Sequence, residues 1–126
     1  MALKMRLLIA EDNLQMRGML RELVADLAEA VTECGDGDEA VTAYEEQHFT
    51  SEDRVLMDLQ MPRVGGLEAT RRIRAAFPDA QIIIVTQHDD PHWRTAARES
   101  GAMAYVLKHN LLELRHILQT IPQSKT

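Results

Sequence analysis

Four consecutive apolar β-branched residues, Ile82-Ile83-Ile84-Val85, set the tightest limit on how this chain can fold. A strand points successive side chains to opposite faces. All four are apolar, so both faces of such a strand need cover. An antiparallel sheet with one wet face does not give that; a parallel sheet carrying helices on both sides does. The run is far short of the roughly 20 apolar residues of a membrane helix, and no other stretch approaches that length.

The rest of the chain alternates in the way such a sheet requires. Arg6 to Ala10 reads as a first strand (β1), and helical spacing from Leu14 to Leu27 as a first helix (α1) capped by Asn13. Ala30 to Glu33 is a weak second strand (β2). After the turn Gly35-Asp36-Gly37, Asp38 is the expected cap of a helix (α2) through Ala40, Val41, Ala43 and Tyr44. Arg54 to Asp58 is a third strand (β3), and Leu67 to Phe77 a helix (α3) stopped by Pro78. Gln81 to Thr86 is the fourth strand (β4). Pro91 to Ser100 forms a helix (α4) with Pro91 near its first turn and Gly101 after its end. Ala104 to Leu107 is a fifth strand (β5) and Leu111 to Ile121 a last helix (α5). Five strand–helix units in 126 residues make one α/β domain, with a core of about residues 5–121 and a tail at 122–126.

Composition narrows the function. Aromatics are 4% of the chain, so the core is aliphatic. Twenty acids against 14 bases give a net charge of −6, which argues against a direct nucleic-acid footprint. The lone Cys34 forms no internal disulfide and reads as a small buried hydrophobe. The apolar run Leu7 to Ala10 is broken by Glu11 and Asp12, too early for a signal peptide.

Right-handed crossovers bring every strand's carboxyl end to one edge of the sheet, where ligand sites of α/β folds form. The residues that follow the apolar runs there are Glu11, Asp12, Asp58, Thr86 and Lys108. Clustered carboxylates repel one another. A hard cation such as Mg²⁺ accepts such oxygens, and Lys108 and Thr86 can contact phosphoryl oxygens. The chemistry favoured is phosphoryl transfer onto the carboxylate of Asp58.

Leu7-Leu8-Ile9-Ala10-Glu11-Asp12-Asn13, Val55-Leu56-Met57-Asp58-Leu59-Gln60-Met61-Pro62, Gly65-Gly66-Leu67-Glu68-Ala69, Ile84-Val85-Thr86 and Gly101 to Lys108 follow in order across nearly the whole chain. In these segments the sequence closely resembles the receiver domains of two-component response regulators. The resemblance implies a flavodoxin-like (CheY-like) doubly wound fold with strand order 2-1-3-4-5. It implies that Asp58 accepts a phosphoryl group from a sensor histidine kinase. Mg²⁺ (or Mn²⁺) would be held by Asp12, Asp58 and the Gln60 backbone carbonyl, with Glu11 acting through water. Lys108 would pair with Asp58 and then with the phosphate. Thr86 and Tyr105 would form the switch that reports to the α4–β5–α5 surface, and Gln60, Gln87 and His88 would tune phosphate lifetime. The same resemblance implies a cytoplasmic protein and a homodimer through α4–β5–α5, acting on a partner as a stand-alone regulator or on a C-terminal DNA-binding output domain outside this chain. The Gly-Ala-x-x-Tyr-x-Leu-Lys strand points to receivers that precede LuxR-type output domains.

Where many receivers have proline after the lysine, this chain has His109, so a trans Lys108–His109 bond is expected. His92, His109 and His116 read as surface residues, His48 as a helix-end residue, and Arg71, Arg72 and Arg74 as a solvated helix face. For Trp93, half-buried packing and a place on the partner surface weigh equally. Two other functions compete. One is a pseudo-receiver that binds partners without phosphorylation, which the full acid–Thr–Lys set disfavours. The other is an aspartyl-nucleophile phosphatase, which Gln60 disfavours because that chemistry wants Asp two residues after the nucleophile.

Overall fold

The computed structural model describes residues 5–120. The tail at 122–126 and the end of the last helix at Ile121 lie outside the described residues. The elements run β1 (Arg6–Ala10), α1 (Leu14–Val24), β2 (Ala30–Cys34), α2 (Gly37–Glu46), β3 (Arg54–Met57), α3 (Gly66–Ala76), β4 (Ile82–Thr86), α4 (Pro91–Ser100), β5 (Ala104–Leu107) and α5 (Leu111–Thr120). All five strands are parallel, in the order β2-β1-β3-β4-β5.

The Ile-Ile-Ile-Val run explains the two-layered core. Ile82 and Ile84 pack with Leu8, Val55 and Met57 beneath Tyr44, Ala69, Ile73 and Ala97 of α2, α3 and α4. Ile83 and Val85 face the other way, with Leu7, Ile9, Leu56 and Val106 against Leu20 and Val24 of α1 and Leu114 and Leu118 of α5. Each of the four β4 residues is at most 1% exposed. Burying one such side chain contributes roughly 1.5–3 kcal/mol, and β4, with β1 and β3, supplies both layers.

Helix ends follow local chemistry. Asn13 caps α1 by accepting from the Met16 N–H at 2.8 Å. Asp90 caps α4, with Pro91 in the first turn and Gly101 left-handed at the end (φ 107°). Two expectations need correction. The helical spacing through Leu27 does not continue α1; the helix stops at Val24 and a 3₁₀ turn covers Ala25–Leu27. Arg115 of α5 takes the Leu23 carbonyl at 2.7 Å and pairs with Asp26, so a side chain from another helix satisfies an end that would otherwise be orphaned. And α2 begins at Gly37, with Asp36 rather than Asp38 at its cap position; Asp38 lies exposed in the first turn. The Lys108–His109 bond is trans, as expected. Trp93 is half-buried against the α2–α3–α4 side of the core, and His92, His109 and His116 are exposed.

Gly66 starts α3 directly under the peptide of Asp58. A Cβ there would come 2.1 Å from the Asp58 carbonyl oxygen, and that oxygen belongs to backbone fixed by the sheet. Gly66→Ala is therefore expected to destabilise the fold by about 1–3 kcal/mol, despite alanine's better helix propensity. Urea denaturation checks this; an unchanged or raised midpoint contradicts the tight approach.

Candidate functional site

The carboxyl edge of the sheet gathers the residues that the sequence places at the strand ends. The ladder continues one step past the strands: Asp58 N–H donates to Ala10 O at 2.9 Å, Glu11 N–H to Cys34 O at 3.0 Å, and Lys108 N–H to Thr86 O at 2.7 Å. These bonds fix the backbones from which the functional side chains project. The cavity between them has a volume of about 450 Å³ and is lined by Glu11, Asp12, Asn13, Asp58, Gln60, Met61, Pro62, Thr86, Gln87, His88 and Lys108.

Glu11, Asp12 and Asp58 each offer a carboxylate oxygen within 4.8 Å of the others. Glu11 and Asp58 are buried; Asp12 is exposed at the cavity mouth. The Lys108 ammonium lies between the two buried acids, 2.9 Å from Glu11 Oε1 and 3.3 Å from Asp58 Oδ1. Asp58 Oδ1 also accepts the Leu59 N–H at 2.9 Å, and Glu11 Oε2 the Asn13 N–H at 3.1 Å. Glu11 is thus engaged through both oxygens, Oε1 by the ammonium and Oε2 by the backbone. Burial and the neighbouring Glu11 charge push the Asp58 carboxyl up to about 6, against the pull of Lys108. Burial alone would lower the Lys108 ammonium's proton affinity; the bonds to Glu11 and Asp58 outweigh it and hold the group above its ordinary value. Three hard oxygen donors within reach of one another, two of them buried, suit a small divalent cation of the Mg²⁺ or Mn²⁺ type.

The other side of the cavity carries a chain of bonds. Thr86 is buried, and its Oγ1 accepts the His88 N–H at 3.2 Å. The His88 carbonyl in turn accepts the Tyr105 hydroxyl at 2.7 Å. Thr86 and Tyr105 therefore meet through one residue's backbone. Gln60 and Gln87 are exposed at the rim, and the His88 side chain is half-buried near Trp93, ring centroids 6.0 Å apart. Sequence reasoning missed Arg94, whose guanidinium lies 4.8 Å from the centre of the Tyr105 ring and pairs with Asp89 at 3.3 Å. It also missed Asp36 and Arg63, which meet 27 residues apart and bind the loop after Asp58. The only sequence signal for Asp36 is its place between two glycines.

A sequence model of the response regulator receiver domain matches residues 7–121. The chain belongs to that family. This receiver domain is 40% identical over 106 residues to the transcriptional regulatory protein YhcZ of Bacillus subtilis, covering 82% of this chain and 48% of that protein. It is 34% identical to a two-component response regulator of the LuxR family from Aurantimonas, with a TM-score of 0.77, covering 90% of this chain and 84% of that one. It is 28% identical to the receiver domain of the histidine kinase CKI1 from Arabidopsis thaliana, a structure complexed with Mg²⁺, with a TM-score of 0.77, covering 94% of this chain and 92% of that one. The receiver spans about half the length of the curated relatives it matches. Among its described residues, no helix is long and apolar enough to cross a membrane.

The raised Asp58 carboxyl has a consequence for stability. An aspartate ordinarily titrates near 3.8, and Asp58 near about 6. Between those values the folded state binds the proton more tightly, so folding is progressively penalised as pH rises through the window and fully penalised above it. In cation-free buffer, Asp58→Asn is expected to raise stability at pH 8 by about 1–3 kcal/mol. The gain shrinks as pH falls through 6 and is gone near pH 4. Urea titrations across that range check it; a gain independent of pH would remove Asp58 ionisation as its source.

Proposed function

We propose that this receiver domain takes a phosphoryl group from the phosphohistidine of a sensor histidine kinase onto Asp58, and that the resulting population shift reaches an output domain or partner through α4–β5–α5. The observation that carries this reading is the placement of Lys108 between Glu11 and Asp58, inside a cluster of three carboxylates at the sheet edge. The CKI1 receiver structure, complexed with Mg²⁺, supports the cation assignment.

In this reading Asp12, Asp58 and the Gln60 carbonyl hold Mg²⁺ (or Mn²⁺), and Glu11 acts through water. The cation supplies charge neutralisation for the incoming phosphoryl oxygens. Asp58 Oδ1 is held by Leu59 N–H and Lys108, so Oδ2 is the oxygen that attacks. An Oδ2–P bond forms as the P–N bond to the donor imidazole breaks, and the imidazole leaves with the electron pair. Lys108 then follows the charge, exchanging part of its carboxylate contact for a phosphoryl oxygen.

Phosphorylation adds about −1.5 to −2 charge at one point. Thr86 can donate its hydroxyl to that charge while its oxygen accepts the His88 N–H, so a movement of Thr86 toward the phosphate pulls on the residue 88 backbone. His88 is also the residue whose carbonyl anchors Tyr105, so the change passes to β5 and α4. Moving a two-state equilibrium from about 1:99 to about 99:1 takes about 5.5 kcal/mol. Charge-assisted hydrogen bonds from Lys108 and Thr86 supply a large part of it, and the result is a shift between existing states. Gln60, Gln87 and His88, at the rim and wall of the cavity, govern water access to the acyl phosphate and so its lifetime. The protein acts in the cytoplasm, its own catalysis limited to gain and loss of this phosphate. The remaining length of the relatives fits a DNA-binding output domain after the receiver, with dimerisation through α4–β5–α5.

Incubation with Mg²⁺ and acetyl phosphate is expected to add one phosphate, seen by intact mass spectrometry. Asp58→Asn abolishes it, and Lys108→Ala slows it by at least about tenfold. Uptake by Asp58→Asn at the wild-type rate would overturn the site assignment. No uptake by wild type, with no Mg²⁺ binding, would favour a pseudo-receiver.

A further inference from the structure

Asp36 occupies the N-cap position of α2 with extended backbone (φ −157°, ψ 152°), yet its side chain makes no capping bond. An aspartate there ordinarily accepts from the helix's own first turn, an interaction worth about 1 kcal/mol. In this chain the carboxylate is diverted. It is 5% exposed, and both its oxygens point across to the loop that follows Asp58. Oδ1 accepts the Val64 N–H at 3.0 Å and the Arg63 N–H at 3.3 Å; Oδ2 accepts Arg63 Nε at 3.0 Å and lies 2.9 Å from its Nη2. The neighbouring glycine completes the junction. Gly37 N–H donates to the Val64 carbonyl at 3.0 Å, and a Cβ on Gly37 would come 2.4 Å from that oxygen. The Asp36–Gly37 turn is thus pressed directly onto residues 63 and 64.

The other end of the loop is fixed as firmly. Leu59 N–H donates to Asp58 Oδ1, and the Leu59 carbonyl accepts the Gly66 N–H at 2.8 Å. Only Gln60, Met61 and Pro62 lie between these two anchors, and all three line the cavity. A short segment with both ends held has little freedom in where it presents a carbonyl. Groups that orient a ligand without touching the metal commonly govern its affinity.

We propose that Asp36 is a positioning residue for the cation: by clamping Arg63 and Val64 it sets where the Gln60 carbonyl stands beside Asp12 and Asp58. The inference rests on the cation assignment made above, and adds to it a residue on β2–α2, outside the cavity lining. The salt bridge to Arg63 strengthens the clamp from the solvent side, because that side chain is 66% exposed. The Gly37 contact keeps the two loops at backbone distance.

Isothermal titration of the full chain with Mg²⁺ tests it. Asp36→Ala is expected to weaken Mg²⁺ binding by about tenfold or more. Phosphoryl uptake from acetyl phosphate should fall at low Mg²⁺ and recover at saturating Mg²⁺. Asp36→Asn keeps an oxygen for the two backbone N–H groups and should stay within about threefold of wild type. Arg63→Ala, which removes only the exposed half of the clamp, should lose about threefold, and it carries the test if Asp36→Ala does not fold. Asp53→Asn is the comparator: Asp53 is a buried carboxylate at the opposite edge of the sheet, bonded to Arg6 and Thr50. It should lower thermal stability and leave Mg²⁺ affinity unchanged. A folded Asp36→Ala protein within twofold of wild type, or an equal loss in Asp53→Asn, overturns the positioning role. Absence of Mg²⁺ binding by wild type overturns the cation assignment and this inference together, a result distinct from either.

Discussion

The Lys108 ammonium between Glu11 and Asp58 is the contact on which the rest of the carboxyl edge depends. Two carboxylates buried side by side repel, and burial penalises each charge further. The lysine offsets part of that penalty but not all of it, which is why the Asp58 carboxyl still sits near 6 rather than below the ordinary range. The site is left electrostatically short of positive charge. In the proposed function, that shortfall suits a group that attracts a cation and then accepts a phosphoryl group. A fully satisfied salt bridge would be more stable and less reactive.

Holding like charges together requires a rigid frame, and the doubly covered sheet supplies one. Because β1, β3 and β4 bury both faces, the α2–α3–α4 and α1–α5 layers close on one shared sheet. The backbones that carry Glu11, Asp58 and Lys108 are then fixed by cross-strand bonds one step beyond the ladder. The site's geometry is inherited from packing many residues away, aliphatic on the α1–α5 side and joined by Tyr44 and Phe49 on the other.

Much of this was legible in the sequence, for identifiable reasons. The period-2 and period-3.6 patterns are strong where one face or both are apolar, so β4, α4 and the strand-end residues could be placed by arithmetic on the chain. Asn13 and Gly101 were legible because their roles are local. Asp38 suits the α2 cap by its place before the helix, but Asp36 takes that position, and its carboxylate is drawn to the distant loop at Arg63 and Val64. The end of α1 failed similarly: its spacing runs on to Leu27, but Arg115, far along the chain, satisfies the helix end at Leu23. Arg94 over Tyr105 likewise depends on the packing of α4 beside β5. Local patterns give elements and caps; contacts between distant loops have no pattern to show.

The bonds at His88 bear on how such a domain diversifies. Thr86 engages the N–H of residue 88 and Tyr105 its carbonyl, and both groups belong to the main chain. Any non-proline residue at that position can keep both bonds. A substitution of the side chain facing the cavity therefore leaves the bonds from hydroxyl to hydroxyl in place. In the proposed reading timing and transmission are then separable: one belongs to a side chain, the other to peptide groups that substitution leaves in place.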